Sequence, residues 1–466
     1  MSFNKLLNDN QLKCCHKIRK IIKSGLFAFS LSLLLYVNRI TNFGYFMRIR
    51  LHNYLMLLII VAYVFTGCSK EDHDIIDPEK EVFNFMVTDA QRLYINASRG
   101  EQYEITDPIP ELHFAGSIYK IDRFEIRGDG SLNFTRKGFG VNLDRKITIY
   151  DPVERTERQY EEFKLLAMVF DFTYIENSLA VGLLREVDLW PVCSFFTEVR
   201  LNDRTQGLYH FIEDPFEYFI ERENASSVIR RGYDHVIKAF SVNPGSRNGQ
   251  EEYVAFFKRI YSALPLYSGR QMYDTLSACL DLEQYFTKLS IDLLIRNGDY
   301  TDEIIFYTKI KDGKEIFGVF PWDLDDIFSA QPHEIGNPWA TGTVFGSREY
   351  SDMNDIVSDV GMKLLYSIED DLDYKIARDG FLYQQYLKTL RTVIEKIDPA
   401  TIDRIFDYTF DHIDPFYSND SIVAQSRYDA DETSYDLFIT NLAGKRQMLK
   451  ERRNWILQEL DKQQNK

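Results

Sequence analysis

Cysteine is scarce in this sequence. It contains five cysteines among 466 residues, and no two of them form a Cys-x-x-Cys pair. The scarcity excludes a disulfide-stapled scaffold, and the spacing argues against a zinc site built on thiolates. Only Cys193 and Cys279 follow Cys68, and the sequence leaves open whether these two pair in an oxidising compartment.

Basic side chains are also in deficit. Lysine and arginine number 55 against 71 aspartates and glutamates, a net charge of −16, which argues against nucleic acid as the main partner. The first 67 residues reverse this balance, with nine basic residues and one acidic residue, Asp9. The remainder therefore holds 46 basic and 70 acidic residues, a net charge of −24. A basic, apolar head in front of an acidic body is typical of an export signal joined to a secreted domain.

Long apolar runs are missing from this head. Its two apolar stretches, 26–37 and 54–65, contain twelve residues each, whereas a membrane-spanning helix needs about 20. The second stretch ends at Thr66-Gly67-Cys68, and small residues before a cysteine, behind a short apolar core, resemble a bacterial lipobox. The thiol of Cys68 would then be the nucleophile that accepts a diacylglycerol. The alternative is an ordinary transmembrane helix.

These features predict how the amino-terminal part is processed. We expect 1–46 to be an over-long extension, with translation starting at Met47; an extra membrane segment is the alternative. Residues 47–67 then form the lipoprotein signal peptide, and 68–81 form a tether. The acidic tract 69–74 resembles the surface-export signal of Bacteroidetes lipoproteins, or is a solvated tether. The expected location is the cell envelope, as an outer-membrane lipoprotein that the export signal would expose at the cell surface.

Behind the tether, hydrophobic periodicity predicts two lobes. From 82 to 250, short alternating apolar runs separated by Gly, Asn, Asp and Pro indicate a β-rich N-terminal lobe, with a helical stretch at about 159–187. From 251 to 466, helical patterns dominate. The predicted fold is therefore α+β, with a mainly helical C-terminal lobe. The predicted strands that open the first lobe are 82–87, 92–97, 119–126, 138–143 and 146–150.

Turn and cap residues predict the finer structure. Asn202-Asp203 and Asp312-Gly313 each predict a hairpin. Asp281, with Gln284 three residues later, predicts a helix that begins after Asp281 and ends near Arg296. The strands of the two hairpins are predicted at 195–201 with 207–212, and at 303–309 with 315–320.

Two acidic segments are the clearest candidates for chemistry. Asn297-Gly298-Asp299 follows a predicted helix, and Trp322-Asp323-Leu324-Asp325-Asp326 begins just past the second hairpin, with Asp323 24 residues after Asp299. A hairpin that returns to its start would bring Asp299, Asp323 and Asp325 to one edge. Carboxylates placed in this way suit a hard divalent ion and a base, which are what phosphoryl transfer needs. The alternative is that they cap helices and fill turns.

Two further features carry positive charge. Arg127-Gly128-Asp129-Gly130-Ser131, followed by Lys137, is a glycine-bearing turn that could lie over phosphates or be a plain hairpin turn. Glu213 and Lys238 could pair and hold a phosphate-binding cation in place, or be ordinary surface charges on strands.

Several of these segments resemble, in order and spacing, the motifs of the spore coat protein H (CotH) kinase family. The resemblance covers about 115–330 and implies a two-lobed fold like that of an atypical protein kinase, with ATP and either Mg²⁺ or Mn²⁺ as cofactors. The matching segments are 124–131, 201–209 with Glu213, 297–299 and 321–325.

The resemblance also implies a role for each matching residue. Asp299 would be the catalytic base, and Asp323, assisted by Asp325, would hold the metal. The sequence departs from the family at two places: Asp302-Glu303 stand where an asparagine is usual, and Thr135-Arg136-Lys137 replace Pro-Lys-Lys. The residues implied to bind ATP are Arg127, Gly128, Ser131, Lys137, Glu213 and Lys238.

Three functions are compatible with these features. The first is a lipid-anchored kinase that transfers phosphate from ATP to serine or threonine of a protein. The alternative is a non-catalytic surface module for a glycan or protein, since 29 tyrosines, 34 phenylalanines and 4 tryptophans supply aromatic contact area. The third is a metal-dependent phosphohydrolase that uses the same carboxylates. The expected partners are a protein and, through the lipid on Cys68, a membrane, but not nucleic acid.

Overall fold

A computed structural model describes most of the chain from residue 82 to 464. The gaps are at 129, 152–154, 172, 233–234, 299–303, 330–363, 367–369, 420–421 and 423–433. The predicted signal peptide, Cys68 and the tether lie outside the described residues, and so does Asp299.

Eight strands form a sheet that closes on itself. Their order is β2-β4-β3-β1-β7-β8-β6-β5, and a further pairing between β4 and β5 completes the ring. All neighbours run antiparallel except β1 and β7. Closure leaves few exposed strand edges on this sheet. The strands are β1 (Phe83–Met86), β2 (Tyr103–Glu104), β3 (Glu111–Phe114), β4 (Ser117–Arg127), β5 (Gly138–Asp151), β6 (Thr156–Leu166), β7 (Ser194–Leu201) and β8 (Arg204–Glu213).

A second, antiparallel sheet has the order β10-β9-β11-β12. Its strands are β9 (Ser227–Arg231), β10 (Ile237–Val242), β11 (Ile304–Lys311) and β12 (Lys314–Pro321). The described helices of eight or more residues are α1 (Asp89–Ala97), α2 (Glu176–Glu186), α3 (Gln250–Ser262), α4 (Gly269–Ser277), α5 (Leu282–Ile295), α6 (Asp371–Arg378), α7 (Gly380–Lys396), α8 (Pro399–Tyr417) and α9 (Tyr435–Gln464). Within these ranges, no helix is both long and apolar enough to cross a membrane.

The described apolar side chains pack into two cores. One fills the closed sheet and is rich in phenylalanine, including Phe83, Phe124 and Phe163. The other gathers α2, the second sheet and the helices that follow it. Its centre is α5, which packs against α2, α7, α9 and β12 and is buried along almost its whole length. Because each fully buried large apolar side chain stabilises the fold by about 1.5–3 kcal/mol, both cores are substantial.

The structure confirms the α+β class and both predicted hairpins. Asn202 and Asp203 join β7 to β8, and Asp312 and Gly313 join β11 to β12, all four with positive φ as such two-residue turns require. The Asp281 side chain accepts a hydrogen bond from the backbone N–H of Gln284 and begins α5, as predicted.

Two element predictions are wrong. Residues 92–97 belong to helix α1 and not to a strand, because Thr88 and Gln91 form a capping box that starts a helix there. The predicted helix at 159–187 is strand β6 in its first part, and α2 begins only at Glu176. Residues 163–165 are all buried between β5 and β8, and a strand buried on both faces cannot be separated from a buried helix by periodicity.

The cysteines Cys193 and Cys279 do not pair. Both are free thiols, and both are buried. Burial raises the pKa of the Cys279 thiol to about 12, so this thiol stays protonated and unreactive at neutral pH.

Candidate functional site

A cleft of about 770 Å³ lies where four separated parts of the chain meet. They are the turn after β4, the end of β6 and the segment that follows it, the β9–β10 hairpin and the segment after β12. The volume falls in the range of small-molecule sites, roughly 300–1,000 Å³. The fold therefore gathers distant segments around one ligand-sized space.

Most of the predicted site residues line this cleft. Six of them do so: Arg127, Gly128, Ser131, Lys238, Asp323 and Asp325. They come from positions nearly 200 residues apart in the sequence, so only the fold brings them together.

The turn after β4 needs its glycine. Gly128 has φ 142°, and a Cβ at this position would lie 2.1 Å from Oγ of Ser131. The Gln102 side chain donates a hydrogen bond to the carbonyl of Gly128, and Ser131 lies in a short 3₁₀ turn, Gly130–Asn133. Gly128, Gly130 and Ser131 of this turn line the cleft.

Among the described residues, four cationic and three anionic side chains line the cleft. The cations are Arg127, Lys164, Arg230 and Lys238. Burial lowers the pKa of the Arg127 guanidinium, Arg230 adds to this effect, and the nearby Asp214 opposes it. Because like charges held together repel, an anionic ligand would relieve their repulsion. Cations and carboxylates thus line one cleft, a combination that could hold phosphates together with a metal ion.

The carboxylates that line the cleft come from the segment after β12. Asp323 has φ 49°, a left-handed conformation that is uncommon outside glycine and is frequent at functional sites. Asp325 and Asp326 follow it along the cleft.

Three backbone hydrogen bonds tie this segment to the end of α5. The N–H of Gly298 donates to the carbonyl of Asp326 at 2.8 Å, that of Phe328 to Ile295 at 2.7 Å, and that of Ser329 to Arg296 at 3.1 Å. A Cβ on Gly298 would lie 1.9 Å from Oδ2 of Asp326, so only glycine allows this approach. Asp299 is outside the described residues, but its neighbour Gly298 lies directly beside the acidic segment.

The carboxylates fit a metal that is shared with a ligand. The described residues contain no group of three or more His, Cys, Asp or Glu side chains arranged to hold a metal alone. Mg²⁺ usually takes only one or two carboxylates and completes its shell with phosphate oxygens and water. Asp323 and Asp325, which line the same cleft as the four cations, supply that kind of donor set.

A comparison with known families identifies the family of this chain. The model of the CotH kinase protein family matches residues 124–456, about 70% of the chain. The chain belongs to the CotH kinase protein family. The match begins just before the turn at Gly128 and ends within α9, so it includes almost every residue that lines the cleft. A comparison with curated proteins finds no match.

Two residues that the CotH resemblance assigns to ATP do not line the cleft and contact other groups of the protein. Lys137 is buried, and its ammonium donates hydrogen bonds to the carbonyls of Leu132 and Phe134. The structure thus places this lysine under the turn, where it holds the turn's backbone. Glu213 faces Arg222, with Nε 2.6 Å from Oε1, and lies on the far side of β8 from the cleft cations.

The ion pair expected between Glu213 and Lys238 has a counterpart formed by two other residues. Lys164, on β6, is bonded to Asp214, which follows β8, and both are almost fully buried. Although burial alone would raise the pKa of Asp214, the Lys164 ammonium and the N–H of Phe216 outweigh it and lower that pKa. The ammonium of Lys164 also lies 5.2 Å from the centre of the Trp322 ring.

Lys164 and Asp214 were missed in the sequence, although weak signals exist. Lys164 is a single charge in an otherwise apolar run over 163–170, which is unusual unless the charge has a partner. Asp214 precedes Pro215, a helix-start signal, and its carboxylate accepts hydrogen bonds from the N–H groups of Phe216 and Glu217. Arg230, which also lines the cleft, has no signal in the sequence, whereas Trp322 belongs to the acidic segment already singled out.

Proposed function

We propose that this CotH family member is a kinase that transfers phosphate from ATP to serine or threonine of a protein. One observation carries the proposal: a single cleft joins the glycine turn, four cations and the Asp323–Asp325 carboxylates. This is the set of groups that phosphoryl transfer requires, since the reaction is driven by positioning and by stabilisation of phosphate charge.

Each part of the cleft has a task in this proposal. The turn at Gly128 covers the phosphates with its backbone, and Arg127, Lys164 and Lys238 bind their oxygens. Asp323 and Asp325 hold Mg²⁺ or Mn²⁺, which neutralises charge on the phosphates when bound. The carboxylate of Asp214 pairs with Lys164 and favours its charged form, against the burial that lowers the pKa of Lys164.

Asp299 is proposed to orient the acceptor hydroxyl and to take its proton. Support comes from Gly298, whose N–H bonds to Asp326 beside the metal-binding segment. The proposal also extends to architecture. The closed sheet and the helical core would act as the two lobes of an atypical kinase fold, with the cleft between them.

The test is a calorimetric titration of residues 69–466 with ATP, in the presence of Mg²⁺ or Mn²⁺. We expect saturable ATP binding that needs the metal. We also expect transfer of a labelled terminal phosphate from ATP to proteins of a cell extract. No binding with either ion would refute the kinase and leave a surface-binding module. ATP consumption without any phosphorylated protein would indicate a phosphohydrolase.

We also propose that the protein is a lipoprotein of the outer membrane, anchored at Cys68. Support comes from the short apolar run that ends at Thr66-Gly67-Cys68. Labelling with a fatty-acid analogue is expected in the parent and in Cys279→Ala, but not in Cys68→Ala. Label that persists in Cys68→Ala would contradict the anchor.

A further inference from the structure

Helix α5 carries a chain of buried polar side chains that ends at the cleft. A helix packed against four other elements is expected to be apolar on all sides. Lys288 and Ser290 are nevertheless 0% exposed, and Asp292 is 4% exposed. Since an ion pair buried in this way rarely adds net stability over apolar residues, its presence needs another explanation.

Asp292 links Lys288, within the helix, to Asn297, just past the helix end. Nζ of Lys288 lies 2.8 Å from its Oδ2, and the amide of Asn297 donates to its Oδ1 at 3.3 Å. The carbonyl of Asp292 accepts the N–H of Arg296, which has left-handed φ 55°, and that of Asn297. Asp292 thus holds the helix end by both its side chain and its backbone.

The chain continues from Asn297 into the cleft. Asn297 is 1% exposed, and the next residue, Gly298, donates its N–H to the carbonyl of Asp326. Asp326 lines the cleft together with Asp323. Any shift of the Asn297-Gly298 turn would therefore move the backbone of the acidic segment.

At its other end the chain adjoins a second cluster of buried polar side chains, which includes Asp373, Asp370 and Arg231. The charge of Lys288 acts on Asp373, which is fully buried and accepts a hydrogen bond from Tyr285 at 2.7 Å. Next to it, Asp370 pairs with Arg231 at 3.0 Å. Arg231 neighbours Arg230, which lines the cleft, and successive residues of a strand point to opposite faces.

We propose that Lys288, Asp292 and Asn297 are positioning residues, which fix the Asn297-Gly298 turn and through it hold the Asp323–Asp326 segment in place. The hydrogen bond from the Asn297 amide to the Asp292 carboxylate has a preferred direction, whereas apolar packing does not. Lys288 places its charge beside that carboxylate as an ion pair. This directional contact can therefore fix a helix end that apolar residues of equal volume would only bury. The consequence for ATP rests on the proposed function; the consequence for the backbone does not.

The test separates positioning from stability. The variant Lys288→Met/Asp292→Leu replaces the ion pair by apolar residues of similar size, but it leaves the buried Asn297 amide without its acceptor, so we expect a folded protein of somewhat lower stability. Ser290→Ala is the control, since Ser290 is equally buried in α5 but bonds only to Phe286 of its own helix. Asn297→Ala removes the amide that donates a hydrogen bond to Asp292 and leaves the Lys288–Asp292 ion pair intact.

Two measurements are made on all four proteins. Hydrogen–deuterium exchange by mass spectrometry, on peptides covering 295–298 and 324–329, is expected to be faster in the double variant and in Asn297→Ala, and unchanged in Ser290→Ala. Metal-dependent ATP affinity is expected to fall about 10–100-fold in the same two variants, as for other groups that orient metal ligands.

Parent-like exchange in a folded double variant would overturn the proposal, whatever happens to ATP. Faster exchange confined to peptides remote from the turn would do the same, because it would show a purely structural role. Failure of the parent to bind ATP would refute the proposed function, and the exchange data would still decide the positioning role.

Discussion

Asp323→Asn is expected to abolish the metal-dependent part of ATP binding without unfolding the protein. Asp323 is half-buried, lines the cleft and has φ 49°. Asparagine tolerates this left-handed conformation, so the change removes a charge and one metal-binding oxygen but not the backbone shape. Mutation of a group that only orients a metal ligand lowers metal affinity by about 10–100-fold. Loss of a metal ligand itself should therefore lower it by at least about 100-fold.

Asp312→Asn is the matched control for this variant. Asp312 has φ 53° and undergoes the same chemical change, but it lies exposed in the β11–β12 turn. Calorimetry with ATP and Mg²⁺ or Mn²⁺ should show lost binding in Asp323→Asn and normal binding in Asp312→Asn. Equal affinities in the two variants would remove Asp323 from the metal site.

The same assay distinguishes a ligand from a base. Asp299→Asn should keep ATP binding and lose roughly 10²–10⁴ in the transfer rate, because a base acts mainly in the transition state. Loss of binding in Asp299→Asn would mean that this residue is instead a metal ligand.

Breaking the Lys164–Asp214 pair is expected to have the largest effect on stability. Asp214→Leu would leave the Lys164 ammonium buried without its carboxylate and would also remove the cap of the short helix at Pro215–Glu217. Removing one partner of a buried pair costs about 3–5 kcal/mol of unfolding free energy. Lys164→Met should cost less, because Asp214 keeps its hydrogen bonds from Phe216 and Glu217.

The sign of the pH effect follows from the lowered pKa of Asp214. A carboxylate whose pKa is lower in the folded protein adds stability that is present above its unfolded pKa, about 3.9, and is lost as the pH falls further. Lys164→Met removes much of this lowering. The stability difference between the parent and Lys164→Met should therefore shrink at acid pH.

Urea unfolding and ATP titration of a set of variants measure both effects. Lys238→Met is the control, since Lys238 is an exposed cation of the same cleft and its loss should change stability by no more than about 0.5 kcal/mol. Lys164→Met and Lys238→Met should both weaken ATP binding. The double variant Lys164→Met/Asp214→Leu should be more stable than Asp214→Leu alone; if it is less stable, the pair is not the unit we describe.

Local signals in the sequence were sufficient to predict two hairpins and the start of one helix. The turns at Asn202-Asp203 and Asp312-Gly313 require positive φ, which these residue types tolerate, so each hairpin could be predicted from its two turn residues. The cap at Asp281 likewise marks the start of α5 because its carboxylate bonds within one helical turn. The ordered motifs around Gly128, Gly298 and Asp323 were sufficient to predict the family.

Other features depend on contacts between distant residues. The apolar run at 163–170 gives no signal that its beginning lies between two strands, because a segment buried on both sides loses its periodicity. The sequence pointed to Lys137 as a phosphate ligand and not to Lys164. Only the fold shows that Lys137 holds backbone carbonyls, while Lys164 lines the cleft.

The same reason explains why Glu213 was selected instead of Asp214. Neighbouring residues at a strand end point in opposite directions. Glu213 therefore pairs with Arg222, whereas Asp214, one position later, pairs with Lys164. The sequence by itself determined the local turns, the caps and the order of the acidic and glycine-bearing segments. The tertiary structure alone decided which charges face the cleft, because that depends on strand register and on packing between residues far apart in the chain.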